Sequence, residues 1–207
     1  MPITFAIPPV AIMAALEDAM PRLGRSAAIE ARSPAISRAA NAFGPGAQLR
    51  IPRTLRHVLS ADAIAMPVYV LGLDQLARGN IVRGAKLALW SHILPSEAGP
   101  VSAEVNAVTT RFAQVSESRA TARLRTRITT MASTDEDGDD DHQVAQLRIP
   151  ALHVTLLWLK SEQGRDVFEP VEVTGTVLRV GQRYSEAELA AALRGAAAGR
   201  AADDTDG

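Results

Sequence analysis

Residues 152–160, Leu-His-Val-Thr-Leu-Leu-Trp-Leu-Lys, constrain the fold more than any other stretch of this chain. Read as a strand, one face presents Leu152, Val154, Leu156 and Trp158, and the other presents His153, Thr155, Leu157 and Leu159. Each large apolar side chain gains about 1.5–3 kcal/mol on full burial. Leaving Leu157 and Leu159 in water would forgo an amount comparable with the stability of a typical domain. A second layer must therefore lie on that face. The terminal helices, another subunit and a small apolar ligand are the three candidates.

The neighbouring sequence supplies the rest of a sheet. Val68–Leu71 has strand composition, and Asp74 to Arg78 reads as one helical turn closed by Gly79. Lys86 to Leu94 reads as a strand, Pro95, Gly99 and Pro100 as a loop, and Val101 to Val108 as a returning strand, together a hairpin. Val101, Val105, Val108, Phe112 and Val115 fit a helical stripe as well as a strand, and strand is taken for the segment before residue 117. Ser116 or Ser118 can cap a helix over about 117–132, in which Ala120, Leu124, Ile128 and Met131 form an apolar row.

Val144 to Lys160 reads as one long strand interrupted at Ile149-Pro150, with Asp166 to Thr174 returning as an edge strand marked by Pro170. Ser185-Glu186-Ala187-Glu188 is a capping box that opens a helix to about Ala198. The expected fold is α+β: an antiparallel sheet of about four or more strands, arranged hairpin–helix–hairpin and packed by the central helix. Residues 61–200 form that domain, with a C-terminal helix. Residues 1–60, where Pro8-Pro9 open a helix and Gly44-Pro45-Gly46 forces a turn, form a helical N-terminal region. The acidic tail 201–207 should be disordered. Leu-Trp occurs in both leading strands, at Leu89-Trp90 and Leu157-Trp158, so either a duplicated unit or two similar leucine-rich strands explains the pair.

The chain contains no cysteine, which removes disulfides, thiolate metal sites and cysteine nucleophiles. Its formal net charge of −1 provides no global field toward nucleic acid or acidic membranes. The N-terminus lacks the basic start of a signal peptide, and no apolar run approaches the roughly 20 residues of a bilayer span. A soluble, cytoplasmic protein of bacterial type is expected, with no membrane partner.

The four histidines, His57, His92, His142 and His153, fall in no recognised metal spacing. His92 and His153 lie in the two Trp-bearing segments, and with Glu104 they could hold a metal or work as an acid–base pair; hydrogen bonding inside a sheet is the commoner role of such residues. Asp135, Asp137 and Asp139 alternate like calcium ligands. Asp140 stands where the loop glycine belongs, however, and Gln146 where a bidentate glutamate belongs, so the acidic loop 135–141 is read as solvated. Arg119, Arg123 and Arg127 form a row beside the apolar stripe of the central helix. They either contact phosphates or lay their stems over the core edge. Removing the loop's six acids would take the formal charge from −1 to +5, which makes the loop a candidate counterion for them.

No phosphate-binding glycine loop, dinucleotide fingerprint or nucleophile elbow is present. The leading expectation is therefore a non-catalytic binding or assembly protein of a cytoplasmic complex that self-associates or docks on a protein partner, with no cofactor or metal. The alternative is a small-molecule-binding protein or enzyme with an apolar pocket. Its candidate ligand or interface residues are Trp90, His92, Glu104, His153, Leu157, Trp158 and Leu159. A nucleic-acid-associated protein using Arg119, Arg123 and Arg127 is the third reading.

Overall fold

The computed structural model describes residues 3–19, 63–95, 99–134 and 141–203. Among these, eight strands form one sheet. Strand β1 (Ile3–Phe5) is followed by helix α1 over residues 10–19, which begins directly after Pro8-Pro9. Then come β2 (Ile64–Val70), two short helices α2 (Leu73–Ala77) and α3 (Ile81–Gly84), β3 (Lys86–Leu94), β4 (Val101–Asn106) and β5 (Phe112–Glu117). Helix α4 (Arg119–Ser133) leads to β6 (His142–Ile149), β7 (Val154–Ser161), β8 (Val167–Glu172) and the terminal helix α5 (Glu186–Asp203).

The sheet order is β5-β4-β3-β2-β6-β7-β8. It consists of two antiparallel meanders, β2 to β5 and β6 to β8, joined by a parallel β2–β6 pair. Strand β1 also runs parallel to β6, matching Ile3–Phe5 with residues 142–144, while β2 matches residues 146–148. The two therefore sit end to end along one flank of β6. This arrangement explains how Pro67, which has no N–H, is tolerated in a central strand. The β2–β6 ladder starts only at Val68, and β1 has already ended at Val144.

Both sheet faces are covered. On one, α1 packs Ile12 and Leu16 over Trp90, Leu94, Val101, Ala103 and Val105. Further along that face α2, α3 and α5 pack Leu76, Ile81, Leu189 and Leu193 over Leu147, Leu156, Trp158 and Phe168. On the other face, Leu124, Ile128 and Met131 of α4 meet Met66, Ile93, Val144, Leu157, Leu159 and Val171. The result is three layers, helices–sheet–helix. Ser118 caps α4 by accepting from the Thr121 amide at 3.0 Å, and the Ser185–Glu188 capping box opens α5 with reciprocal bonds of 2.8 and 3.3 Å.

Helix α4 thus answers the question posed by residues 152–160. It buries Leu157 and Leu159 completely, so neither the terminal helices nor a second subunit nor a ligand is needed there. Several expectations change in detail. The sheet has eight strands, and it is mixed, because of the parallel pairs. Residues 144–160 are two antiparallel strands rather than one. A 3-10 turn at Pro150–Leu152 and His153 in the left-handed region (φ 50°) reverse the chain, so the strand begins at Val154. The segment before residue 60 contributes a strand as well as a helix; residues 20–62, with His57, lie outside the described residues, as do residues 135–140 of the acidic loop. Helix α5 continues through Asp203, past the expected end near 198. No described helix is long and apolar enough to cross a membrane.

The two tryptophans share a sheet face. Trp90 lies opposite Pro67, which is on the face of Ala145, and Ala145 lies opposite Trp158. A duplication relating the parallel strands β2 and β6 would swap faces, as the opposite positions of α4 and α5 suggest. The tryptophans break that relation, and two similar leucine-rich strands suffice to explain them.

Candidate functional site

The α4 face of the sheet is apolar only in part. Beside the apolar contact, polar side chains from six strands surround a cavity of about 240 Å³. Its floor is Ser91 and Ile93 of β3, Ser102 and Glu104 of β4, and Gln114 and Ser116 of β5. Gln146 and Arg148 of β6, Thr155 of β7 and Glu172 of β8 form the far wall, and the first two turns of α4, with Ser118, Thr121 and Leu124, form the roof.

At its centre is an ion pair. Glu104 is 1% exposed, and its carboxylate accepts from Arg148 through both oxygens, with Nη1 at 3.2 Å from Oε2 and Nη2 on Oε1. Gln114 Nε2 donates to Oε2 at 2.9 Å and Ser102 Oγ to Oε1 at 3.4 Å. Ser102 in turn shares a 2.7 Å hydrogen bond with Ser91, and Arg148 Nη2 donates to Gln146 Oε1 at 3.2 Å. The Arg148 side chain crosses β2 and β3 to reach β4. Burial works against ionisation of Glu104, but the Arg148 hydrogen bonds and charge, aided by Gln114 and Ser102, outweigh it and hold the pKa below the ordinary value. The carboxylate is therefore charged and has its acceptor positions filled. The guanidinium retains donors beyond those given to Glu104 and Gln146.

The structure separates the residues that the sequence suggested might cooperate. Glu104 lies in the cavity. His92 is on the opposite face, opposite Ala65 and Ala103, and is 1% exposed. Neither of its ring nitrogens has a hydrogen-bond partner among the described residues. Burial lowers its pKa to about 4 against a smaller opposing effect of the Ala103 backbone. His153 is exposed at the β6–β7 turn. The three share no site. Trp90 packs under α1, and Trp158 packs between Tyr69 and Phe168 with Lys160 Nζ 4.9 Å from its ring; neither lines the cavity. Leu157 and Leu159 lie in the α4 core.

In the arginine row, Arg123 donates to the Val171 carbonyl at 2.9 Å, and Arg127 binds both oxygens of the buried Glu169 at 2.7 and 2.9 Å. Arg119 is exposed. Two of the three guanidiniums are thus occupied in tying α4 to β8.

Sequence reasoning identified Glu104 but missed its surroundings. The missed signal was the spacing of polar residues. Ser102 and Glu104, Gln114 and Ser116, and Gln146 and Arg148 are each two apart, so each pair projects from the same face of its strand. Three such pairs in otherwise apolar strands mark a polar patch on one face of a covered sheet. A scan against protein-family models and searches of curated proteins and of solved structures found no significant match.

Proposed function

We propose that this chain is a non-catalytic binding protein that holds a small, uncharged ligand bearing hydroxyl or carboxamide groups in the cavity between α4 and the sheet. The observation that supports this reading is the convergence of side chains from six strands around the Glu104–Arg148 pair in a space of about 240 Å³. Buried polar groups need partners, and a cavity ringed by serine and threonine hydroxyls, two carboxamides and a guanidinium offers both donors and acceptors to a guest. The pair neutralises itself, and the other charged group of the lining, Glu172, is an exposed carboxylate. An anionic ligand would therefore enter without a free counter-charge and its desolvation would go uncompensated, while a cation would meet only this solvated group. The polar lining favours such a guest over the apolar one expected from the sequence. Glu104, ionised and already hydrogen-bonded on both oxygens, is suited to orienting Arg148 and Gln114 rather than to transferring a proton.

The reading is tested by thermal-shift and calorimetric titration with polyols, monosaccharides and small amides, set against carboxylates and amines of similar size. Members of the neutral set should raise the melting temperature, and Ser116→Leu, which fills the cavity from β5, should abolish the response. A response confined to charged compounds, or one unaffected by Ser116→Leu, would refute it.

A further inference from the structure

The ion pair at the centre of the cavity also fixes which hydrogen-bonding groups face a guest. An ionised carboxylate only accepts and a guanidinium only donates, so the neighbours of the pair cannot choose their orientation. Around Glu104 every neighbour must give a hydrogen. Gln114 gives Nε2 to the carboxylate, which leaves its own Oε1 without a partner among the described residues. Ser102 gives its hydroxyl hydrogen to the carboxylate too, so in the 2.7 Å bond between the serines Ser91 is the donor and its oxygen stays open as an acceptor. Around Arg148 the constraint is reversed. Gln146 must turn Oε1 toward Nη2, and its Nε2 then makes no hydrogen bond among the described residues, although the residue is 3% exposed and lines the cavity. Arg148 has five N–H groups and gives three, two to Glu104 and one to Gln146.

The lining therefore has a direction. Open acceptors, Gln114 Oε1 and Ser91 Oγ, lie on the Glu104 side, and open donors, Gln146 Nε2 and the remaining guanidinium N–H groups, lie on the Arg148 side. Glu172, the lining carboxylate outside the pair, is exposed and stays solvated. A buried amide with no acceptor is costly, so Gln146 calls for an oxygen from the guest. We infer that the guest is a primary or secondary carboxamide, bound with its carbonyl oxygen on Gln146 Nε2 and Arg148 and its N–H toward the acceptors of the Glu104 side. This inference rests on the binding role proposed for the cavity and narrows its ligand class. A carboxamide holds an acceptor and a donor in one rigid plane, as the two sides of the lining require. A hydroxyl turns to suit either side, so a polyol draws no advantage from the direction. Gln146 is then the residue that determines specificity, and the ion pair is what positions it.

Titration of the full chain with neutral probes of similar size, followed by amide NMR, tests it. Propionamide and N-methylacetamide carry both groups, dimethylacetamide keeps the oxygen but has no N–H, and propylene glycol has hydroxyls but no carbonyl. The first two should bind about tenfold or more tightly than the others. They should also shift one glutamine side-chain NH2 signal, assigned to Gln146 by its absence from Gln146→Met. That variant keeps the length of the side chain and removes the donor, so the preference for propionamide over the glycol should shrink to within about threefold. Its backbone spectrum shows whether it is folded, and the wild-type series decides without it. A glycol or dimethylacetamide that binds the wild type as tightly as propionamide, or a preference that survives Gln146→Met, would overturn the inference and leave the cavity a binding site. A wild type that responds to no neutral probe would remove the binding role and this inference together.

Discussion

Arg148 and Glu104 compensate each other's charge away from bulk water, the carboxylate being 1% exposed and the arginine side chain 25%. Removing one partner of such a pair leaves a buried charge uncompensated, whereas replacing both with apolar groups of similar size is far milder. Arg148→Ala is therefore expected to destabilise the fold by about 3 kcal/mol, and Arg148→Met combined with Glu104→Leu by clearly less. Urea unfolding with an unchanged m-value would read the difference; equal losses in the single and double variants would contradict it. A second residue sets the response to acid. His92 is neutral in the folded chain down to about pH 4, while in the unfolded chain it titrates near 6.5. Between those values the unfolded state binds the extra proton, so stability is complete above pH 6.5 and declines as the pH falls toward 4, by about 3 kcal/mol in all. Its sheet neighbours Ala65 and Ala103 do not titrate. The Glu104 contribution is present above its unfolded value of 4.5 and is lost below that, as its depressed folded pKa is approached, so it acts in more acid solution. Denaturation midpoints from pH 7.5 to 4.5 should slope for wild type and flatten for His92→Leu, and parallel curves would remove His92 as the cause.

At the scale of elements, what the sequence disclosed follows from local chemistry. The β3–β4 hairpin, the helix after Ser118 and the Ser185–Glu188 cap each depend on residues a few positions apart, and each forms as those residues indicate. The turn inside residues 144–160 was hidden because β6 and β7 are both covered on two faces. Strand β7 is apolar from Leu156 to Leu159 and β6 alternates over Gln146–Ile149, and since either pattern reads as strand, periodicity cannot separate one long strand from two. Pro150 was visible, but the left-handed backbone at His153 that completes the reversal was not. Strand β1 is three residues long, too short to show a period, and the parallel pairing of β2 with β6 joins segments almost eighty positions apart. The cavity was legible only in outline. Polar residues two apart gave a shared face, but the reach of Arg148 across two intervening strands is a property of the assembled sheet.

At the scale of the whole molecule, the two meanders complete each other's cores. Helix α4 follows the first meander yet lies over Leu157, Leu159 and Val171 of the second, while α2 and α3 pack beside α5 on the face of β6 to β8. Neither half can hide its own apolar surface, so calorimetry should show one transition with matching van't Hoff and calorimetric enthalpies; two resolved transitions would contradict this coupling. The same arrangement fixes an order of events during synthesis. The cluster under α1 draws its buried members from residues 12 to 105, so it can close while the rest of the chain is still being made. The α4 layer must wait for Val171, and the α5 layer for Ala197. Until then the nascent chain carries α4 with one greasy side bare, so the ribosome-bound intermediate is the form of this protein most in need of a chaperone.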